Sequence, residues 1–284
     1  MFERIKYPDG QISAKWNPPE GGMSVIDNVI KERINSYEDL FYVRSIADVA
    51  KIKSSIRWKL FIPCMFGQRS DRRFERFQSF DLKLITDVIN ECNFGTVEIF
   101  DPHSDVTMAL INNSIKRSSF EFVKNAVQDL YRPETGINTC NFTLVSPDAG
   151  AYKKVFDYGE KLNLPVVAAV KHRDTEGKID LTFMGDVKDK HCLIVDDLCD
   201  GGYTFELLAK ALRDMKARKV YLYVSHGLFS KGFAGMYDAG IDGIYCTNSI
   251  KDLTGPYAIK VRTSEDMYPE NAFLDNYVTQ YKVI

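Results

Sequence analysis

The chain has almost no net charge: 37 Lys and Arg against 39 Asp and Glu leave −2 at pH 7 over 284 residues. No global field therefore recruits nucleic acid or an anionic membrane. No apolar run approaches the ~20 residues that a membrane helix needs. The opening segment, MFERIKYPDG, lacks the apolar core of a signal peptide. Six cysteines stand apart at 64, 92, 140, 192, 199 and 246, with no CxxC pair. Neither a zinc site nor a redox dithiol is indicated. Cys92 and Cys192 read as small hydrophobes beside a helix and a strand. These absences point to a reduced, cytoplasmic enzyme of small molecules, without nucleic-acid or membrane partners.

Apolar residues make up 45% of the chain and charged residues 27%, the balance of a folded globular protein. The length suits two ordinary domains or one large one. One basic cluster, Arg69, Arg72, Arg73 and Arg76, stands out in an otherwise neutral chain. A local cluster of that kind suits a small anionic ligand better than a polymer.

Short apolar runs read as buried parallel strands: Leu60 to Pro63, Val97 to Asp101, Phe142 to Ser146, Val166 to Val170, Cys192 to Asp197 and Val220 to Ser225. Helical patterns lie between them. From Glu206 to Lys216, the residues Leu207, Leu208, Ala211, Leu212 and Met215 line one face. The alternation predicts α/β layers with parallel sheets. A turn-rich stretch, Arg132 to Gly136, is a candidate boundary.

A weak internal repeat accompanies this pattern. Val88 to His103 (VINECNFGTVEIFDPH) and Ala211 to His226 (ALRDMKARKVYLYVSH) are each a helix end, a turn and a strand stopping at a histidine. The strands ahead of them, Lys59 to Pro63 and Cys192 to Asp196, also correspond. The first copy has the longer loop after its strand, which suggests two similar α/β domains with a task given to that loop. Any two αβ units could look as much alike.

The strongest chemical signal is CLIVDDLCDGGYT, Cys192 to Thr204. An apolar strand ends in two acids, then come two glycines, a threonine and an amphipathic helix. Free N–H groups at a helix start favour a phosphate, and glycines let it approach the backbone. Acids at a strand end accept hydrogen bonds from sugar hydroxyls. The combination suits a ribose phosphate; an ordinary βα turn is the plainer alternative.

This segment resembles the phosphoribosyl pyrophosphate motif of phosphoribosyltransferases and of ribose-phosphate diphosphokinases. The resemblance implies that Asp196 and Asp197 hold the ribose hydroxyls while Asp200, Gly201, Gly202, Tyr203 and Thr204 cradle the 5-phosphate. Gly201 stands where Thr or Ser is usual, and Tyr203 where Gly is usual. Further segments resemble the diphosphokinases in particular. VSPDAGAYK (Val145 to Lys153) implies a metal-binding Asp148. DPHSD (Asp101 to Asp105) implies a metal- and ATP-contacting His103. GQRSDRRF (Gly67 to Phe74) implies ATP contacts from Arg69, Asp71 and Arg72, with Ser70 in place of Gln. Lys171-His172-Arg173 resembles the catalytic Lys-x-Arg, which implies catalytic roles for Lys171 and Arg173. Tyr7-Pro8-Asp9-Gly10-Gln11 resembles the aromatic-x-Asp-Gly-Glu segment that reaches adenine from a neighbouring subunit, which implies Tyr7, Asp9 and Gln11 at ATP.

The chain is thus similar to the shorter, divergent, phage-like end of the ribose-phosphate diphosphokinase family. The resemblance implies two tandem phosphoribosyltransferase-like domains, 1–135 with the ATP loop and 136–284 with the ribose 5-phosphate site. It implies transfer of the diphosphate of ATP to C1 of ribose 5-phosphate, with Mg²⁺, in a homo-oligomer (dimer or hexamer) that shares the ATP site between subunits. A phosphoribosyltransferase and a non-catalytic regulatory paralogue are the alternatives. Each segment also has a plain structural reading. His103 can be a structural hydrogen-bonder, and Lys171 and Arg173 a solvated strand end. The arginines can form a charged loop, Asp148 an N-cap, and Pro-Asp-Gly a β-turn. His226 is assigned a structural place.

Overall fold

The computed structural model describes residues 2–18, 29–52, 57–173, 179–254, 258–260 and 278–283. Two compact units divide the chain, Met1–Ser118 and Ser119–Ile284.

The first unit opens with an antiparallel hairpin, β1 (Phe2–Lys6) and β2 (Ile12–Trp16). There follow β3 (Val29–Lys31), α1 (Tyr37–Ile52), β4 (Lys59–Ile62), α2 (Asp81–Glu91), β5 (Thr96–Phe100), α3 (Asp105–Leu110) and β6 (Ser114–Arg117). The last four strands form one parallel sheet in the order β3-β4-β5-β6. In β4, Leu60, Phe61 and Ile62 are all fully buried. A strand covered on both faces reads as an unbroken apolar run, which is why it was legible. The α2 helix buries Leu82, Ile85, Thr86 and Ile89, one stripe at helical spacing. The hairpin is fastened to α1 by ion pairs from Arg4 to Asp39 at 2.8 Å and from Lys6 to Glu38 at 3.0 Å. Phe2, Trp16 and Trp58 pack ring against ring beneath it.

The second unit contains α4 (Phe120–Leu130), β7 (Phe142–Ser146), α5 (Ala149–Leu162), β8 (Val166–Arg173), β9 (Ile179–Met184), β10 (His191–Cys199), α6 (Tyr203–Asp214), β11 (Lys219–Gly227), α7 (Ala234–Asp238), β12 (Gly243–Thr247), β13 (Ala258–Lys260) and β14 (Gln280–Val283). Its sheet runs β13-β14-β12-β11-β10-β7-β8-β9. The stretch from β12 to β8 is parallel, and β9, β14 and β13 join antiparallel at the edges. The expected α/β class with mainly parallel sheets is therefore what the chain adopts.

The units divide between Ser118 and Ser119, ahead of the Arg132 to Gly136 turn, and not after residue 135. The reason is α4, which is bonded into the second sheet. Gln280 Nε2 donates to the Phe122 carbonyl at 2.9 Å, and Tyr245 Oη donates to Asp129 Oδ2 at 2.6 Å. Lys282 Nζ donates to the same oxygen at 3.1 Å, and Arg132 also pairs with Asp129.

Both members of the internal repeat are β-loop-α-β units with neighbouring parallel strands: β4, α2, β5 and β10, α6, β11. They part at their loops. Pro63 to Phe80 separates strand from helix in the first, but only Asp200 to Gly202 does so in the second. They also part at their histidines. His226 lies inside β11, fully buried, with Nδ1 2.9 Å from Ser249 Oγ. His103 lies past the end of β5 and is exposed. The structural place given to His226 is the one it takes.

Candidate functional site

In an open parallel sheet, ligands gather outside the carboxyl ends of the strands. In the second unit that edge collects three of the predicted segments. Asp148 follows β7, Lys171 and Arg173 close β8, and Asp196 to Thr204 end β10, with the strands neighbouring in the order β10-β7-β8.

The acid pair is held within the strand, because β10 runs on to Cys199 and its pairing with β11 continues to Cys199↔Gly227. The Asp197 N–H donates to Asp196 Oδ1 at 2.9 Å. Asp197 is 8% exposed. Burial first, and the like charge of Asp197 second, hold the Asp196 carboxyl well above the usual carboxylate range. A hydrogen bond between the two carboxyls acts in the same direction, and Lys154 on α5 opposes it. Hydroxyl donors or a cation brought to the pair would oppose that shift.

Next comes the glycine loop. Gly202 caps α6 with φ +87°, a conformation that side chains rarely adopt. Its carbonyl accepts from the N–H groups of Phe205 and Glu206 at 2.9 and 3.0 Å, which starts the helix immediately. Tyr203, the first helical residue, is 60% exposed. Phe205, Leu208, Ala209 and Leu212 anchor α6 in the core, so the loop sits on a rigid base. The exit of β11 braces the loop from outside. Leu228 N–H donates to the Cys199 carbonyl at 2.9 Å, and Ser230 Oγ donates to Asp200 Oδ1 at 2.7 Å. Cys199 takes no part as a nucleophile: burial, then the neighbouring acids, push its thiol up to about 12. Cys92 and Cys192 are free and buried, the small hydrophobes expected.

Asp148 is the N-cap of α5, its Oδ1 accepting the Ala151 N–H at 3.0 Å. The capping reading of this residue is thus correct. The cap uses one carboxylate oxygen. Lys171 and Arg173 stand at the end of β8. Their backbone pairs with β9 at Lys171↔Leu181 and Arg173↔Ile179, so they lie on an antiparallel arm at the sheet edge. β9 was not anticipated.

The first unit brings two other predicted segments together. Gly67, at φ +71°, turns the chain out of β4; a Cβ there would stand 2.6 Å from Ile85 Cδ1. The next residue, Gln68, is 2% exposed and accepts the His103 N–H on its Oε1 at 3.1 Å. Its Nε2 reaches Cys64 Sγ at 3.6 Å. Gln68 thereby links the arginine loop after β4 to the histidine loop after β5. It was missed in the sequence, where its polar amide looks like any loop residue. Arg69 and Arg72 are exposed, Asp71 is half-buried, and the Arg72 guanidinium lies 5.1 Å from the Phe74 ring centre. Tyr7 to Gln11 form the turn of the β1-β2 hairpin. Gly10 N–H donates to the Tyr7 carbonyl at 3.0 Å, and Gln11 N–H to Asp9 Oδ1 at 3.0 Å. The β-turn reading of Pro-Asp-Gly is correct, and Tyr7 is 43% exposed on it.

No group of three or more His, Cys, Asp or Glu residues that could hold a metal occurs among the described residues. No helix among them is long and apolar enough to cross a membrane.

Two units built on parallel sheets, the second with an acid pair and a glycine loop at its carboxyl edge, define an α/β protein. Residues 158–265 match the phosphoribosyl synthetase-associated domain. A ribose-phosphate pyrophosphokinase of Mycoplasma pneumoniae is 30% identical over 211 residues, 72% of this chain and 62% of that one. One of Clostridium perfringens is 25% identical over 248 residues, covering 86% and 76%. The crystal structure of phosphoribosylpyrophosphate synthetase from Mycobacterium smegmatis superposes with a TM-score of 0.74 at 18% identity, over 97% of this chain and 88% of that one. The matched region thus spans less than two thirds of the Mycoplasma pneumoniae relative. The chain is thus similar, over most of its length, to ribose-phosphate pyrophosphokinases.

Proposed function

We propose that this protein transfers the β,γ-diphosphate of ATP to the C1 hydroxyl of ribose 5-phosphate, giving phosphoribosyl pyrophosphate and AMP. The observation that carries this is the shared edge of the second sheet, where β10, β7 and β8 end in Asp196 to Thr204, Asp148 and Lys171 to Arg173. Similarity to proteins named ribose-phosphate pyrophosphokinases supports it.

The sugar binds at β10. Its hydroxyls donate to Asp196 and Asp197. Its 5-phosphate lies over Asp200, Gly201, Gly202, Tyr203 and Thr204 at the start of α6. The C1 oxygen attacks the β-phosphorus in line, and the bond from that phosphorus to the α,β-bridging oxygen breaks. AMP leaves with the electron pair, and the hydroxyl proton goes to solvent. Catalysis is positioning and charge stabilisation. Lys171 and Arg173 supply positive charge as the transfer proceeds. ATP is held by Arg69, Asp71, Arg72 and His103, with Tyr7, Asp9 and Gln11 at the adenine from a second subunit of a homo-oligomer. Tyr7 offers a half-exposed ring for the purine face.

Asp148 is an oxygen donor of the kind Mg²⁺ takes, whereas His103 is an unusual ligand for so hard a cation and enters on the resemblance alone. Asp148 keeps a second carboxylate oxygen beyond its cap bond, and Mg²⁺ takes one or two protein ligands and completes its shell with phosphate oxygens and water. Asp148 and His103 would hold it, and it would neutralise charge on the ATP phosphates. The setting is the cytoplasm.

The test is a coupled assay with ribose 5-phosphate, ATP and Mg²⁺. AMP and phosphoribosyl pyrophosphate should form in equal amounts. Accumulation of ADP would overturn the proposal. Pyrophosphate release that depends on an added base would indicate a phosphoribosyltransferase instead.

A further inference from the structure

The loop assigned to the 5-phosphate is crowded with negative charge. Asp196 and Asp197 precede it, Asp200 opens it, and the ligand itself is a dianion. From Asp200 to Thr204 there is no cationic side chain. The charge of Lys154, on α5, acts on Asp196. The loop proper needs a cation from elsewhere.

The exit of β11 brings one. Ser230 is bonded to Asp200 twice, Oγ to Oδ1 at 2.7 Å and N–H to the carbonyl at 3.2 Å. The residue after it is Lys231. A Cβ placed on Gly201 would stand 3.4 Å from Lys231 Cδ, 3.6 Å from Cε and 3.7 Å from Cγ. The aliphatic stem therefore lies beside the bare face of Gly201, where a side chain at that position would touch it. The head beyond it is exposed and is engaged in no ion pair or hydrogen bond among the described residues. Gly201 has no side chain to offer the ligand, and a lysine lies along it.

We propose that Lys231 is a further binding residue of this site, its ammonium closing the loop over the phosphate monoester of the sugar substrate. An ammonium on a flexible stem is a compact point charge well suited to a phosphate dianion. Ser230 fixes the start of that stem, so little freedom is lost when the head turns onto the ligand. The Lys231 charge favours phosphorylated sugars over neutral ones. Its role rests on the assignment of Asp200 to Thr204 to the sugar phosphate.

The experiment is titration calorimetry of the full chain with ribose 5-phosphate and, separately, with ATP. The unaltered protein is compared with Lys231→Met, Lys231→Gln, Lys231→Arg and Asp197→Ala, each checked by a melting curve. Loss of one charge-assisted contact should weaken ribose 5-phosphate binding about tenfold in Lys231→Met and Lys231→Gln. ATP affinity should not change, and Lys231→Arg should restore most of the sugar-phosphate affinity. If both neutral variants bind ribose 5-phosphate like the unaltered protein while Asp197→Ala does not, the Lys231 role is wrong and the loop assignment stands. If the unaltered protein fails to bind ribose 5-phosphate, the loop assignment falls and the Lys231 role with it.

Discussion

Asp196→Asn should make this protein more stable at neutral pH while depriving it of its sugar. Asparagine keeps the shape of the side chain and the oxygen that accepts the Asp197 N–H at 2.9 Å. What it removes is a charge that burial and Asp197 oppose and Lys154 only partly offsets. The folded carboxyl titrates above its unfolded value of about 3.9. Between those two values the folded state binds more protons than the unfolded chain, so stability falls as pH rises. The penalty is absent below about pH 4 and complete once the folded carboxyl has ionised. Relieving one unfavourable site charge is typically worth about 0.5–2 kcal/mol. At roughly 2–4 °C per kcal/mol for a unit the size of Ser119–Ile284, the melting point should rise by about 1–8 °C. Melting curves of both proteins from pH 4 to 8 would show a gap that opens with pH. Ribose 5-phosphate should raise the melting point of the unaltered protein and not that of the variant. A variant that matches the unaltered protein at pH 4 but melts below it at neutral pH would refute the reasoning. It would mean that the ionised carboxylate stabilises the fold and that Lys154, not Asp197, governs it.

Gln68→Leu removes the acceptor of the His103 N–H and should cost about 0.5–1.5 kcal/mol of stability. It should raise KM for ATP and leave KM for ribose 5-phosphate unchanged; equal changes in both would mean that Gln68 only supports the fold. Lys171→Ala should lower turnover by ~10²–10³ without weakening ribose 5-phosphate binding. Normal turnover with poor sugar-phosphate binding would reassign that residue. Tyr7→Ala/Asp9→Ala mixed with Lys171→Ala should regain activity, because some ATP sites then combine intact segments from two chains. No recovery after proven subunit exchange would place the site within one chain.

The strands legible in the sequence are those buried on both faces. In β7 and in β10 as far as Val195 every residue is buried, and most of them are apolar. The strands that were missed lack this signature. β6 reads Ser-Ile-Lys-Arg and pairs on one side only, at the edge of its sheet. β1 and β2 mix charged, polar and apolar residues in a separate hairpin. β9, Ile-Asp-Leu-Thr-Phe-Met, is an edge strand that pairs only with β8. The boundary was misjudged for a related reason. Arg132 to Gly136 has the composition of a linker, but what assigns α4 to the second unit is long-range bonding of Asp129 and Phe122 to residues near the C-terminus. Composition marks where a chain can turn, and contacts decide which unit a helix joins.

The same distinction governs the site. Asp196 and Asp197 are neighbours in sequence, so their mutual repulsion could be anticipated before any fold was known. Lys154, which opposes that repulsion, comes from the middle of α5 and has no local signature. Lys231 is still less visible, since its relation to Gly201 arises from the register of β10 with β11, which sets Cys199 opposite Gly227 and returns the next loop over the first. Gln68 left one faint mark, a polar residue directly after Gly67 and before Arg69. Gly67 turns the chain there at φ +71°, and a side chain following such a turn is aimed by the backbone. At this turn it points inward, to 2% exposure, where an amide must find partners. Those partners are Cys64 on its own loop and the His103 N–H on the next. Residues that touch substrate can be read from their chemical type, whereas residues that hold them in place acquire their function only from the fold.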